Sequence, residues 1–308
     1  MPTLADLPTP QVVIDRKRLL NNIARVQQLA SNAGMRLRPH AKTHKSPAVA
    51  KWQIERGAVG ICCAKVGEAE VFAAAGITDI RLPYPVNPSN ARRILELMDR
   101  ATISIIVDHL DVARGWSDAM QRANRTLDVL VKVDVGFHRC GIDSGPTALT
   151  FIKKIASMPG LRLRGLLSHA GHGYHAASDE ALASVARGEA ETLARVKDDA
   201  ARAGIALEEI SVGATPTLRF SAKQSGITEL RPGNYVYFDR TQVALGAATL
   251  DDCALTVLAS VVSAPAPDRI IFDSGSKTLT NDQARGFANG AGRRGPSEVR
   301  PGEAPRSE

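Results

Sequence analysis

Met35-Arg36-Leu37-Arg38-Pro39-His40-Ala41-Lys42-Thr43-His44-Lys45-Ser46 reads as half of a β/α unit. A short strand-like run at 36–39 leads into a cationic loop, and a helix-like run starts at Ser46. The loop packs two lysines, two histidines and an arginine into residues 38–45. A free lysine is almost fully protonated at neutral pH, and an ammonium cannot attack a carbonyl. Cationic neighbours and partial burial favour the neutral amine. Clustering Arg38, His40, Lys42, His44 and Lys45 is one way to achieve that; a solvated basic loop is the alternative.

The same strand-then-helix unit recurs along the chain. Short apolar runs fall at 36–39, 59–63, 79–83, 103–108, 128–135, 163–168, 210–213 and 229–231. Stretches of helical period lie between them at 46–56, 67–75, 88–98, 110–122, 147–157 and 179–203. Apolar strands alternating with helices predict a parallel sheet with both faces covered. Eight such strands predict a closed (β/α)8 barrel of TIM type. An open doubly wound sheet is the alternative, although no G-x-G-x-x-G follows the first strand. After Asn234 the pattern changes to expected strands at 235–239, 253–263 and 269–273, with Pro265 and Pro267 marking a turn. The expected organisation is an α/β barrel over 8–240 and an incomplete C-terminal β domain over 241–282, with 1–15 contributing a strand. Residues 283–308 are expected to be disordered, because 288–308 hold almost no apolar side chains to offset the entropy of ordering.

Composition narrows the function. The chain has 308 residues, 44% hydrophobic and 23% charged, with aromatics at 4% and a net charge of +7. The basic residues are dispersed and form no aromatic-basic platform, which argues against nucleic acid as partner. A basic pocket for an anionic phosphate is an equally good use of the surplus. Cys62, Cys63, Cys140 and Cys253 make no disulfide framework and no C-x-x-C motif, which suits a reducing, cytoplasmic setting. No signal peptide and no membrane-spanning apolar run is legible.

In a parallel barrel the chemistry sits at the carboxyl ends of the strands. The first strand leads to Lys42, the fifth to Asp134–Gly141, the sixth to Ser168–His175, the seventh to Gly213–Thr217 and the eighth to Arg231–Tyr235. The last two are candidate phosphate sites, since glycines allow close backbone approach and hydroxyl and amide donors can cradle an anion. A lysine facing such a cradle fits pyridoxal phosphate. His169, His172 and His175 are spaced by three, but Gly171 and Gly173 argue for a loop rather than a metal-binding helix face.

These residues together resemble a known family. Arg38–Lys45 is similar to the cofactor-lysine motif of the D-threonine aldolase and D-serine dehydratase family, fold-type III pyridoxal phosphate enzymes related to alanine racemase. Supporting matches are Gly60–Ala69, Asp134-Val135-Gly136 with Arg139-Cys140-Gly141, His169-Ala170-Gly171, Gly213–Thr217 and Leu230–Tyr235. The resemblance implies that Lys42 carries the cofactor and that Arg139 approaches its phenolic oxygen. It implies that His169 and Tyr174 line the ring, and that Gly213, Thr215, Gly233, Asn234 and Tyr235 hold the phosphate. It also implies a small D-amino acid substrate and a possible homodimer.

The expected activity is a lyase on D-β-hydroxy-α-amino acids, aldolase-like, giving glycine and an aldehyde. The alternatives are a deaminating dehydratase of D-serine or D-3-hydroxyaspartate, and a catalytically silent cofactor-binding protein. The family also uses a divalent metal, manganese or zinc, held by a His-x-Cys or His-x-Asp pair in the C-terminal domain. No histidine follows His175 here, so no metal ligand is assigned. Truncation or a frameshift of that domain is the expected reason, with a genuine short variant that has lost its metal step as the alternative; finding the pair in another reading frame of the encoding DNA would favour the first.

Overall fold

The computed structural model describes residues 3–279. A first strand, β1 (Gln11–Ile14), leads into helix α1 (Arg16–Asn32), whose N-terminus is capped by the Asp15 side chain accepting the Arg18 N–H. Eight strands follow: β2 (Arg36–Leu37), β3 (Ile61–Cys62), β4 (Asp79–Leu82), β5 (Thr102–Val107), β6 (Leu127–Lys132), β7 (Leu161–Leu167), β8 (Glu209–Val212) and β9 (Glu229–Leu230). Helices α2 (Pro47–Glu55), α3 (Val66–Ala74), α4 (Ala91–Met98), α5 (Leu110–Arg122), α6 (Thr147–Ala156), α7 (Asp179–Arg202) and α8 (Leu218–Ser221) alternate with them. The eight strands form one parallel sheet in which β2 neighbours β9. A single parallel bridge, His40 to Cys62, joins β2 to β3, with the Cys62 N–H donating to Pro39 O at 2.7 Å. The sheet therefore curls back on itself, as the expected (β/α)8 barrel requires.

Alternation along each strand sorts the side chains. Ile103, Ile105 and Val107 of β5 and Val129, Val131 and Val133 in and after β6 belong to the main core, beneath the helices. The opposite face looks into the barrel. There Ile106, Leu130 and Leu167 form a small separate cluster. The remaining interior is ionic. Arg38 donates to Glu229 (2.8 Å) and Asp79 (2.5 Å); Arg81 donates to Glu229 (2.5 Å), Glu209 (2.7 Å) and Ser104 (2.9 Å). The strands read as apolar runs because their helix-facing residues are aliphatic, while buried charges occupy the other face.

The C-terminal part departs from expectation. Residues 235–239 are not a strand. Asn234 O accepts the N–H groups of Tyr237 and Phe238, Phe238 turns left-handed (φ 50°), and Asp239 caps a short helix, α9 (Arg240–Ala244). The expected strand over 253–263 is two strands, β10 (Leu255–Leu258) and β11 (Val261–Ala266), bent apart at Ser260, whose N–H donates to Asp273. β10 pairs antiparallel with β1, and β11 with β12 (Arg269–Phe272). Pro267 lies in the turn between them, whereas Pro265 lies within β11. The expected disordered tail, 283–308, lies outside the described residues. Among the described residues no helix is long and apolar enough to cross a membrane.

Candidate active site

The carboxyl ends of β8, β9 and β2 are adjacent in the sheet, so the loops that follow them share one corner of the barrel mouth. Lys42 lies there in the single 3-10 turn Ala41–Thr43. The residue is exposed, yet protein packed around its amine shields it from part of the solvent. That crowding, and then the Arg139 guanidinium, lower its amine from the usual lysine value.

The source of that effect differs from the expectation. Arg38 faces the opposite way and is consumed by Glu229 and Asp79. Lys45 reaches Glu68 at 3.6 Å. The cationic neighbour of Lys42 is Arg139, delivered from a distant strand. His40 is pushed well below the usual imidazole value, first by burial and then by Lys42 and Arg231. His44 is lowered to about 4 by burial.

Arg139 sits in the β6–α6 loop with its guanidinium 5.0 Å over the Phe137 ring. Phe137 meets His169 edge-to-face at 5.6 Å. His169 Nδ1 is bonded to the Gly213 carbonyl, so that nitrogen carries the proton and Nε2 is the free acceptor. Burial holds the imidazole neutral, lowered to about 3. The Tyr174 hydroxyl, raised to about 12 by burial, accepts from Gln242 at 3.4 Å.

Two buried polar atoms in the expected phosphate loops lack a protein partner, and only the first of them can donate to an anion. Thr215 Oγ1 and Asn234 Oδ1 are buried and have no protein partner. The unpaired Thr215 hydroxyl is a donor, and Asn234 already gives its amide N–H to Asp239 at 2.7 Å. A β-carbon on Gly233 would lie 3.0 Å from Thr43 Oγ1 and 3.1 Å from His40 O, so this loop abuts the Lys42 turn. At Gly213 a β-carbon would strike the Arg231 backbone at 2.8 Å, so the close approach of the neighbouring chain requires glycine there. Tyr235 is fully buried with its hydroxyl accepting from Gln53 at 2.9 Å, so only its backbone is available to a ligand.

Two further residues were not singled out from the sequence. Arg231 is buried and donates to Ser211 Oγ (2.6 Å) and to Ser168 O (2.5 Å). Lys132 is buried with no partner for Nζ. In both cases the sequence offers a cation at or just past the end of a strand, with no sign of which way the side chain points. Of the three spaced histidines, His169 bonds Gly213 and His172 packs over Gly136, while His172 and His175 lie in one 3-10 turn, Gly171–His175. Among the described residues no group of three or more His, Cys, Asp or Glu side chains is gathered to hold a metal.

Comparison with known proteins agrees with this geometry. The sequence profile of the alanine racemase N-terminal domain matches residues 14–241, and that of a serine dehydratase domain matches 254–304. The second match runs past residue 282, where the motif resemblance ends. D-threonine aldolase of Arthrobacter sp. is 38% identical over 90% of this chain and 74% of its own length. D-threo-3-hydroxyaspartate dehydratase of Delftia sp. strain HT23 is 36% identical over 91% of this chain and 75% of its own. The solved structure of the Delftia enzyme superposes with a TM-score of 0.87, covering 92% of this chain and 76% of that one at 35% identity. D-threonine aldolase from Filomicrobium marinum gives 0.84, covering 91% and 76% at 32% identity.

Proposed function

Because this chain belongs to the alanine racemase N-terminal-domain family, within its D-threonine aldolase and D-serine dehydratase group, we propose that it is a pyridoxal phosphate-dependent lyase of D-β-hydroxy-α-amino acids. The reading for this chain is retro-aldol cleavage of a substrate such as D-threonine to glycine and an aldehyde. One observation carries it: an amine disfavoured as a cation, Lys42, lies in a turn against the Gly233 loop, and the Thr215 hydroxyl at the same corner of the barrel is buried and unpaired, a donor free for an anion. Bound there, pyridoxal phosphate would supply an electron sink for charge leaving the substrate.

The chain's own residues would divide the work. Lys42 would hold the cofactor through its amine, made nucleophilic by crowding and by Arg139. Arg139 would face the phenolic oxygen. His169, kept neutral and oriented by Gly213 O, would line the ring with Tyr174 and offer Nε2 as an acceptor. Thr215 Oγ1, the second amide N–H of Asn234 and the backbone at Gly213, Gly233 and Tyr235 would hold the phosphate. The bond that breaks depends on which proton is removed. Loss of the β-hydroxyl proton leads to cleavage between Cα and Cβ; loss of the Cα proton leads to elimination and release of ammonia and an oxo acid. The 36% identity to a dehydratase keeps the second route as the alternative.

The test is to add pyridoxal phosphate to purified protein and record the cofactor's absorbance for wild type and Lys42→Ala. D-threonine and D-3-hydroxyaspartate are then supplied with manganese. A band lost in Lys42→Ala, with glycine and aldehyde released, supports the aldolase. Ammonia and an oxo acid would establish the dehydratase instead. A band without turnover would indicate a silent binding protein, and absence of a Lys42-dependent band would overturn the assignment.

A further inference from the structure

The loop between β6 and α6 is built around one carboxylate. Asp134 Oδ1 accepts the backbone N–H groups of Gly136 (3.0 Å), Phe137 (3.0 Å) and His138 (3.1 Å). Its Oδ2 lies 3.1 Å from His138 Nδ1. Burial alone would raise this carboxyl, but the three converging N–H groups outweigh it and hold the acid below its ordinary value.

The path so gathered is an unusual one. Gly136 (φ 108°), His138 (φ 54°) and Gly141 (φ 121°) all turn left-handed. A histidine in that region persists where surrounding contacts over-determine it. The far end is pinned by Asp108 Oδ2, which accepts the Gly141 N–H at 2.9 Å from the end of β5. The base is closed by Asp134 N–H to Ile142 O and Ile142 N–H to Lys132 O.

Arg139 follows His138 directly and rests on Phe137, a ring contacted by His169 and packed beneath Gly171. From that perch its charge bears on Lys42, Lys132 and His169 together. We propose that Asp134 is a positioning residue: by gathering three loop N–H groups it sets where the Arg139 guanidinium stands over Phe137, and so the field felt at Lys42. This rests on the reading of Lys42 and Arg139 as cofactor contacts.

The test uses the full chain loaded with pyridoxal phosphate and reads the pH midpoint of the cofactor's absorbance, the cofactor dissociation constant and the melting temperature. Arg139→Ala is expected to move the midpoint. Asp134→Ala should move it in the same direction and weaken cofactor binding about tenfold. The double variant should move no further than Arg139→Ala. Asp134→Asn, which keeps one oxygen for the three N–H groups, should fall between Asp134→Ala and wild type. Ser117→Ala, which removes a hydrogen bond from α5 to Pro159 O ahead of β7, controls for stability; it should lower the melting temperature and leave the midpoint unmoved. A wild-type midpoint in Asp134→Ala, with Arg139→Ala shifted, would reduce Asp134 to a loop-shaping residue and overturn the proposal. An unmoved midpoint in Arg139→Ala would overturn it through Arg139. No Lys42-dependent band at all would instead sink the cofactor reading beneath it.

Discussion

Lys132 stands at the end of β6, buried at 3% exposure, with no hydrogen-bond partner for its amine. Burial, and then the charge of Arg231, push that amine down to about 7. Nearby Glu189 is pushed the other way by burial, even though Ser168 donates to it at 2.5 Å. Both groups are thus driven toward their neutral forms. The stability consequence follows from proton counting. The unfolded lysine, near 10.5, binds more protons than the folded one between about 7 and 10.5, so stability rises with pH across that window. Replacing Lys132 with methionine is therefore expected to stabilise the fold at pH 7 by roughly 2–5 kcal/mol. The gain should shrink as pH approaches 10.5. Urea melts of both proteins at pH 7 and pH 10 check this, and an equal difference at the two pH values would show that Lys132 stays charged and compensated. Nothing in the run Val131-Lys132-Val133 says whether the lysine points to solvent or into a barrel. Only closure of the sheet decides it.

At the scale of elements, periodicity located the helices better than the strands. The expected helix at 110–122 coincides with α5, and those at 147–157 and 179–203 end one residue beyond α6 and α7. Helix ends are local, set by caps such as Ser178, whose side chain accepts the Ala181 N–H. The strands expected at 36–39, 59–63 and 229–231 shrink to two paired residues each, because pairing length depends on the neighbour's register. Gly165 shows how tight that register is. A β-carbon there would lie 1.9 Å from Glu209 O on the adjacent strand. Gly165→Ala should force β7 from β8 and cost about 3 kcal/mol or more, read as a lower denaturant midpoint. A melt within experimental error of wild type would show that the seam yields freely. The misread stretch at 235–239 is the converse case, a locally capped turn whose alternating aromatics imitate a strand.

Across the whole molecule, the barrel is held from inside by charge. Glu229 is fully buried between Arg38 and Arg81 and also accepts from Ser211, which in turn accepts from Arg231 beneath the mouth. Burial alone would raise its carboxyl, but Arg81 and Arg38 hold it at about 2. The folded value lies below the unfolded one near 4.5, so this contribution is complete above pH 4.5 and lost as pH falls toward 2. Glu229→Gln leaves two buried guanidiniums underpaired and should cost about 3–5 kcal/mol at pH 7. Its stability should also be flatter than wild type between pH 4.5 and pH 2, and parallel acid profiles would contradict the network. The sequence alone settled the alternation of strand and helix, the barrel class, the lysine after the first strand and the family, because periodicity and short motifs are written in neighbouring residues. Tertiary structure decided that Arg139 rather than Arg38 or Lys45 is the charge beside Lys42, and that Tyr235 spends its hydroxyl on Gln53. It also decided that Arg231 reaches Glu229 through Ser211 and that Lys132 is buried without a partner. Those relations join residues far apart in the chain, and they exist only once eight strands have closed and the alternation has turned each side chain inward or outward.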